Sequence, residues 1–107
     1  METRRYVTHS GRDVIGDWLA DLGDLRARAK VVARIARLET GNFGDCKQVG
    51  GGVWELRIDW GPGYRVYYAM IGATLVLLLC GGDKRSQSRD IKKAKDFLED
   101  FRQRTRS

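Results

Sequence analysis

The stretch WELRIDWGPGYRVYY, residues 54 to 68, constrains the fold more than any other part of the chain. It alternates apolar and polar side chains, turns at Gly61-Pro62-Gly63 and alternates again, which is the pattern of a β-hairpin with one buried face. Trp54, Leu56, Ile58 and Trp60 fall on one side, and Tyr64, Val66, Tyr68 and Met70 supply the matching side of the return strand. The opposite face collects Glu55, Arg57, Asp59, Arg65 and Tyr67. A turn centred near Pro62 predicts Asp59 opposite Arg65 and Arg57 opposite Tyr67, with Glu55 one step further out.

The segments around the hairpin read as one domain. Gly72-Ala73 turns the chain into TLVLLLC, Thr74 to Cys80, which is apolar on both sides and suits a central strand under helices. Gly81-Gly82 reads as the turn that follows. Upstream, Tyr6 and Val7 predict a first strand over Arg4 to Thr8. Ser10, three residues before Asp13, has the spacing of a capping box, so a helix is expected from there. Val14, Ile15, Trp18, Leu19 and Leu22 form its core face, while Asp13, Asp17 and Asp21 line another.

Gly23-Asp24 ends that helix, and Asp24 caps the next, over residues 25–39. Leu25, Ala29, Val32 and Ala36 define its expected core stripe, widened by Val31, Ile35 and Leu38. Arg26, Lys30, Arg34 and Arg37 lie on the far side. An acidic helix followed by a basic one predicts ion pairs between the two, contributing about 0–1 kcal/mol each when exposed. Residues 41–52 read as a loop, with Gly50-Gly51-Gly52 a flexible approach to the sheet. Ile91, Ala94, Phe97, Leu98 and Phe101 describe a C-terminal helix, and residues 102–107 are expected to fray. The expected order is β-α-α-β-β-β-α. It makes residues 1–107 a single α+β domain, an antiparallel meander packed by an N-terminal helical hairpin and a C-terminal helix.

Charge narrows the partners. Lys and Arg number 20 against 14 Asp and Glu, a formal excess of +6 that favours a polyanion. Thr74 to Cys80 is too short to span a bilayer, and the N-terminal METRRYVTHSGRD lacks the apolar core of a secretion signal. A cytoplasmic protein with no membrane partner is expected. Cys46 and Cys80 have no metal-ligand spacing, so reduced thiols are expected, with no metal and no cofactor.

The polar face of the hairpin has two readings. Arg57 and Arg65 can salt-bridge Asp59 and Glu55 across the strands, leaving Tyr67 as a packing residue. Alternatively, the arginines join Lys84 and Arg85, just beyond the apolar strand, in a cationic site that grips a phosphate. A guanidinium forks two donors onto a phosphate as an ammonium cannot. His9 is isolated in sequence from any acid and reads as a cap or surface residue. No serine sits in a nucleophile motif, and no Gly-rich loop has P-loop spacing. Electrostatic catalysis remains. RNA supplies its own nucleophile in the 2′-hydroxyl, and cations need only align it and neutralise the pentacovalent species.

WELRIDWGPGYRVYY followed by LVLLLCGGDKRSQSRDIKKAKDFL resembles the RelE/ParE superfamily of bacterial toxins, closest to its phage-related, HigB-like addiction-module killer branch. The resemblance covers nearly the whole chain. It implies a curved antiparallel sheet flanked by helices and a type II toxin–antitoxin module, with a toxin that cuts mRNA on the ribosome without a metal. By motif, Arg65 matches the sheet arginine at the scissile phosphate, and Lys84 and Arg85 match the basic pair after the last strand. Glu55 is the neighbouring acid, and these four make up the implied catalytic set. Arg57 and Tyr67, with Arg34 and Arg37 of the basic helix, are the expected RNA contacts. The sequence departs from the RelE pattern at Ile91, where the base-stacking tyrosine of that branch aligns, and Tyr67 is the substitute. The C-terminal histidines of some HigB-like relatives are also missing.

A cognate antitoxin is implied, a small HigA-like DNA-binding protein with an acidic segment over Arg57, Arg65 and Lys84. Operator DNA is contacted only through it. The alternative is a non-enzymatic, ParE-like inhibitor of DNA gyrase.

Overall fold

The computed structural model describes residues 1–106. Five strands form one sheet in the order β1-β5-β4-β3-β2. In chain order these are β1 (Glu2–Arg5), α1 (Val14–Asp21), α2 (Leu25–Leu38), β2 (Cys46–Gly50), β3 (Val53–Ile58), β4 (Tyr64–Ile71), β5 (Leu75–Asp83) and α3 (Gln87–Thr105), with a 3-10 turn over Lys84–Ser86 before α3. Strands β2 to β5 run antiparallel, and β1 joins β5 in parallel. The architecture is α+β, as expected, but the order gains a strand. Cys46–Gly50 pairs with β3 where a loop was expected. Its turn is Gly50-Gly51-Gly52, with φ of +96°, +64° and +86°, a run of left-handed backbone that only glycine adopts readily.

Local chemistry moves several boundaries. β1 covers Glu2–Arg5 rather than Arg4 to Thr8, because residues 8–12 fold into a tight turn in which Thr8 N donates to Arg12 O at 2.9 Å. The helix begins at Val14 and not at Ser10. Asp13 is itself the cap, accepting from Gly16 N at 2.9 Å. Asp24 caps α2 as expected, accepting from Arg26 N. α3 continues to Thr105, through most of the segment expected to fray; Ser107 lies outside the described residues.

Gly81-Gly82 is not a turn. β5 runs through both glycines to Asp83, pairing Val66 with Gly81 and Arg65 with Gly82. Their lack of a side chain serves close packing instead. A Cβ on Gly81 would lie 2.3 Å from the Trp18 ring, and one on Gly82 would lie 1.8 Å from an Asp90 carboxylate oxygen.

Each face of the sheet is covered. Ile15 and Leu19 of α1 and Val31 and Leu38 of α2 bury against Leu56, Ile58, Val66, Tyr68, Val76 and Leu78. On the other face, Ala94 and Leu98 of α3 bury against Val53, Tyr67, Ala69, Leu77 and Leu79. Burying each larger apolar side chain contributes about 1.5–3 kcal/mol, which makes these two layers the main support of the fold.

The expected core stripe of α2 faces outward. Ala27, Val31 and Leu38 are the buried residues, while Leu25 and Val32 are exposed. The predicted ion pairs between α1 and α2 are likewise not formed among the described residues. Asp13 pairs with Arg5 and Asp17 with Arg12, both outside α2. No helix among the described residues is long and apolar enough to cross a membrane.

Candidate functional site

Alternation puts Glu55 and Arg57 of β3 and Arg65 and Tyr67 of β4 on the face that carries α3. The register pairs Glu55 with Tyr67 and Arg57 with Arg65. This differs from the expected pairing of Asp59 with Arg65. The loop is wider, with ladder pairing stopping at Ile58 and Tyr64 and Gly63 N donating to Trp60 O at 3.1 Å. The phase is unchanged, so the same side chains share the face.

Covering that face changes what its residues can do. Glu55 and Tyr67 are both 0 % exposed. Glu55 Oε1 accepts from Arg57 Nε at 2.9 Å and faces Arg65 Nε at 3.6 Å. Its Oε2 accepts from the Tyr67 hydroxyl at 3.2 Å and from Gln87 Nε2 at 2.6 Å. Burial pushes the Glu55 carboxyl up. The hydrogen bonds from Gln87 and Arg57 and the charges of Arg65 and Arg57 outweigh it and hold the pKa below the usual carboxylate value. Burial, followed by the Glu55 charge and hydrogen bond, pushes the Tyr67 hydroxyl well above its ordinary value. Glu55 is therefore an ionised strut beneath two guanidinium groups. It is too enclosed to exchange protons with a substrate. Tyr67, expected to stack on a base, is wholly buried and leaves no ring face open in this structure.

Gln87 was not singled out from the sequence. Its signal is faint, a lone amide in the polar run DKRSQSRD, yet as the first residue of α3 it ties that helix to the strand carboxylate.

Arg57, Arg65 and Lys84 meet at one hollow of about 430 Å³, whose rim is completed by Asp45, Asp59 and the 61–63 turn. With Glu55 beneath, three cations stand against three carboxylates. The hollow is thus no general trap for polyanions; it offers directed donors. Arg65 is the more enclosed of the two arginines, its side chain 12 % exposed against 33 % for Arg57, with Nη1 donating to Tyr64 O at 3.3 Å.

The Lys84-Arg85 pair is divided. Arg85 is 84 % exposed and pairs with Asp83 at 3.2 Å. It lines a separate hollow of about 540 Å³ with Arg89, Ser86 and Ser88. Arg34 and Arg37 lie on α2 and line neither hollow. Arg34 instead donates to Phe43 O at 3.3 Å, and burial lowers the pKa of its guanidinium. His9 sits exposed in the 8–12 turn and is not part of the hollow. Cys46 and Cys80 are free thiols. Among the described residues, no three His, Cys, Asp or Glu side chains are grouped so as to hold a metal ion.

Residues 17–99 match the sequence model of the family described as Phage derived protein Gp49-like (DUF891), a span that includes every side chain around Glu55. The chain belongs to the Gp49-like family. It is also similar to an uncharacterized protein of Haemophilus influenzae, 60% identical over 78 residues, which cover 73% of this chain and 79% of the relative. Membership of the Gp49-like family agrees with the phage-related character of the resemblance seen in the sequence.

Proposed function

We propose that this Gp49-like protein is the RelE-like, HigB-branch toxin of a type II toxin–antitoxin module, and that it arrests growth by cleaving mRNA on the ribosome. The observation that carries the reading is the convergence of Arg57, Arg65 and Lys84 on one hollow, with both guanidinium groups propped by the buried Glu55. Membership of a family described as phage-derived is in keeping with it, because the toxin branch that the sequence resembles is phage-related.

On this reading a phosphodiester enters the hollow, and Arg65 stabilises the charge that develops on its non-bridging oxygens. Lys84 and Arg57 position the strand. The 2′-hydroxyl attacks the adjacent phosphorus, the bond to the 5′-oxygen breaks, and the products are a 2′,3′-cyclic phosphate and a 5′-hydroxyl. Arg85, from the adjoining hollow, contacts a neighbouring phosphate. The protein works in the cytoplasm without a cofactor, paired with a small DNA-binding antitoxin through which operator DNA is reached.

Brief induction in a bacterium, with transcript 5′ ends mapped, tests the proposal. Discrete cuts within translated frames are the expected result. Intact transcripts accompanied by DNA-damage induction would replace this reading with gyrase inhibition.

A further inference from the structure

The outer face of α2 carries a second surface, one that the hollow does not explain. Leu25, Ala29, Val32 and Ala36 recur at intervals of four, three and four, the spacing of a coiled-coil seam. All four are exposed, Leu25 to 72 % and Val32 to 48 %, while the helix buries Ala27, Val31 and Leu38 beneath them. Beside this seam, Val32 and Ala36 border a hollow of about 240 Å³ floored by Leu19, Ile35 and Leu78, which gives room for an aliphatic side chain to enter.

Between its caps, Asp24 and Glu39, the helix carries charge of one sign, although Glu39 also reaches the rim of that hollow. Leu25–Leu38 contains Arg26, Arg28, Lys30, Arg34 and Arg37 and no carboxylate. Among the described residues, none of these cations is in an ion pair. Arg28 and Arg34 are spent on backbone carbonyls, and Lys30 lies over the Trp60 ring. On the helical wheel Arg26, Lys30 and Arg37 run along one flank of the seam.

We propose that this face docks an amphipathic helix of a partner protein, with aliphatic residues at three- and four-residue spacing and Asp or Glu along its flank. Ala29 and Ala36 let the partner backbone come close, Leu25 and Val32 fill its gaps, and its carboxylates meet Arg26, Lys30 and Arg37. A second copy of this chain would bring like charges together. RNA would set phosphates against Leu25 and Val32, which offer no donors. The seam belongs to the helix layer across the sheet from Arg57 and Arg65, so a docked helix leaves the hollow open. The inference therefore stands whatever chemistry the hollow performs.

The test uses the full chain and a fluorescent synthetic helix of three heptads, with Leu along its seam and Glu along its flanks. A second peptide carries Lys in place of Glu. Anisotropy should show the Glu peptide binding at least about tenfold more tightly than the Lys peptide, with the difference shrinking as salt rises. Val32→Asp and Leu25→Asp should each weaken it by about tenfold or more while leaving the circular dichroism spectrum unchanged. Equal binding of the two peptides, or binding that both variants leave intact, would overturn the proposal. Displacement of the Glu peptide by single-stranded RNA, or self-association of the chain abolished by Val32→Asp, would overturn it too, in favour of those occupants.

Discussion

Glu55 stands directly across the β3–β4 ladder from Tyr67, and its carboxylate accepts the tyrosine hydroxyl at 3.2 Å in the interior of the protein. The same carboxylate is bound by Gln87 and faces Arg57 and Arg65, so one buried charge links the sheet, the C-terminal helix and the rim of the cationic hollow.

Removing that charge should be costly. Glu55→Gln leaves the two guanidinium groups without their counter-charge and is expected to destabilise the fold by about 3 kcal/mol at neutral pH. The Glu55 pKa is lower folded than unfolded. Its contribution is thus fully present above the unfolded value, about 4.3, and is lost as pH falls through the folded one. Denaturant midpoints followed from pH 7 downward should show the gap between wild type and Glu55→Gln narrowing below about pH 4. A gap that does not change with pH would mean that Glu55 is not ionised in the native state.

Tyr67→Phe keeps the buried ring and deletes one donor to Glu55. A loss of about 1–2 kcal/mol in chemical denaturation is expected. RNA cleavage should be unchanged, because the ring reaches no solvent. A large fall in cleavage by a folded Tyr67→Phe protein would return Tyr67 to the site.

Arg65 and Arg85 should fail differently. Arg65→Ala removes a preorganised donor and is expected to slow cleavage by about 10²–10³-fold. Arg85→Ala removes the phosphate contact proposed for this exposed side chain. It should weaken RNA binding with little sequence bias and reduce the slope of log affinity against log salt by about one. Single-turnover rates and salt titrations on both variants separate the two roles.

Gly82→Ala tests the close approach of α3 to β5. The new Cβ collides with Asp90, itself buried and bound by Ser86 Oγ at 2.5 Å. A loss of about 3 kcal/mol or more is expected in thermal or denaturant unfolding. A protein of unchanged stability would show that α3 can move away from the sheet.

The hairpin was legible because alternation over Trp54–Ile58 and Tyr64–Met70 leaves only in-phase registers, and these put Glu55, Arg57, Arg65 and Tyr67 on one face. What covers that face was not legible. Only in the folded chain does α3 close over Glu55 and Tyr67 through Gln87, turning an apparent polar surface into a buried ion cluster. α2 misled for a different reason. Leu25-Ala29-Val32-Ala36 and Ala27-Val31-Leu38 both recur at helical spacing, and periodicity alone cannot say which stripe meets the sheet. CKQVG shows neither alternation nor a dense apolar run, so the edge strand β2 stayed hidden. Gly81-Gly82 has the composition of a turn but serves the approach of Trp18 and Asp90.

The most direct test of the cationic hollow is cleavage of a defined mRNA on translating ribosomes by purified protein, with the new ends identified chemically. Wild type should yield 2′,3′-cyclic phosphate and 5′-hydroxyl ends, and Arg65→Ala, shown to be folded, should yield about a hundredfold less in the same time. Equal cleavage by the folded Arg65→Ala protein, or none by wild type, would contradict the account.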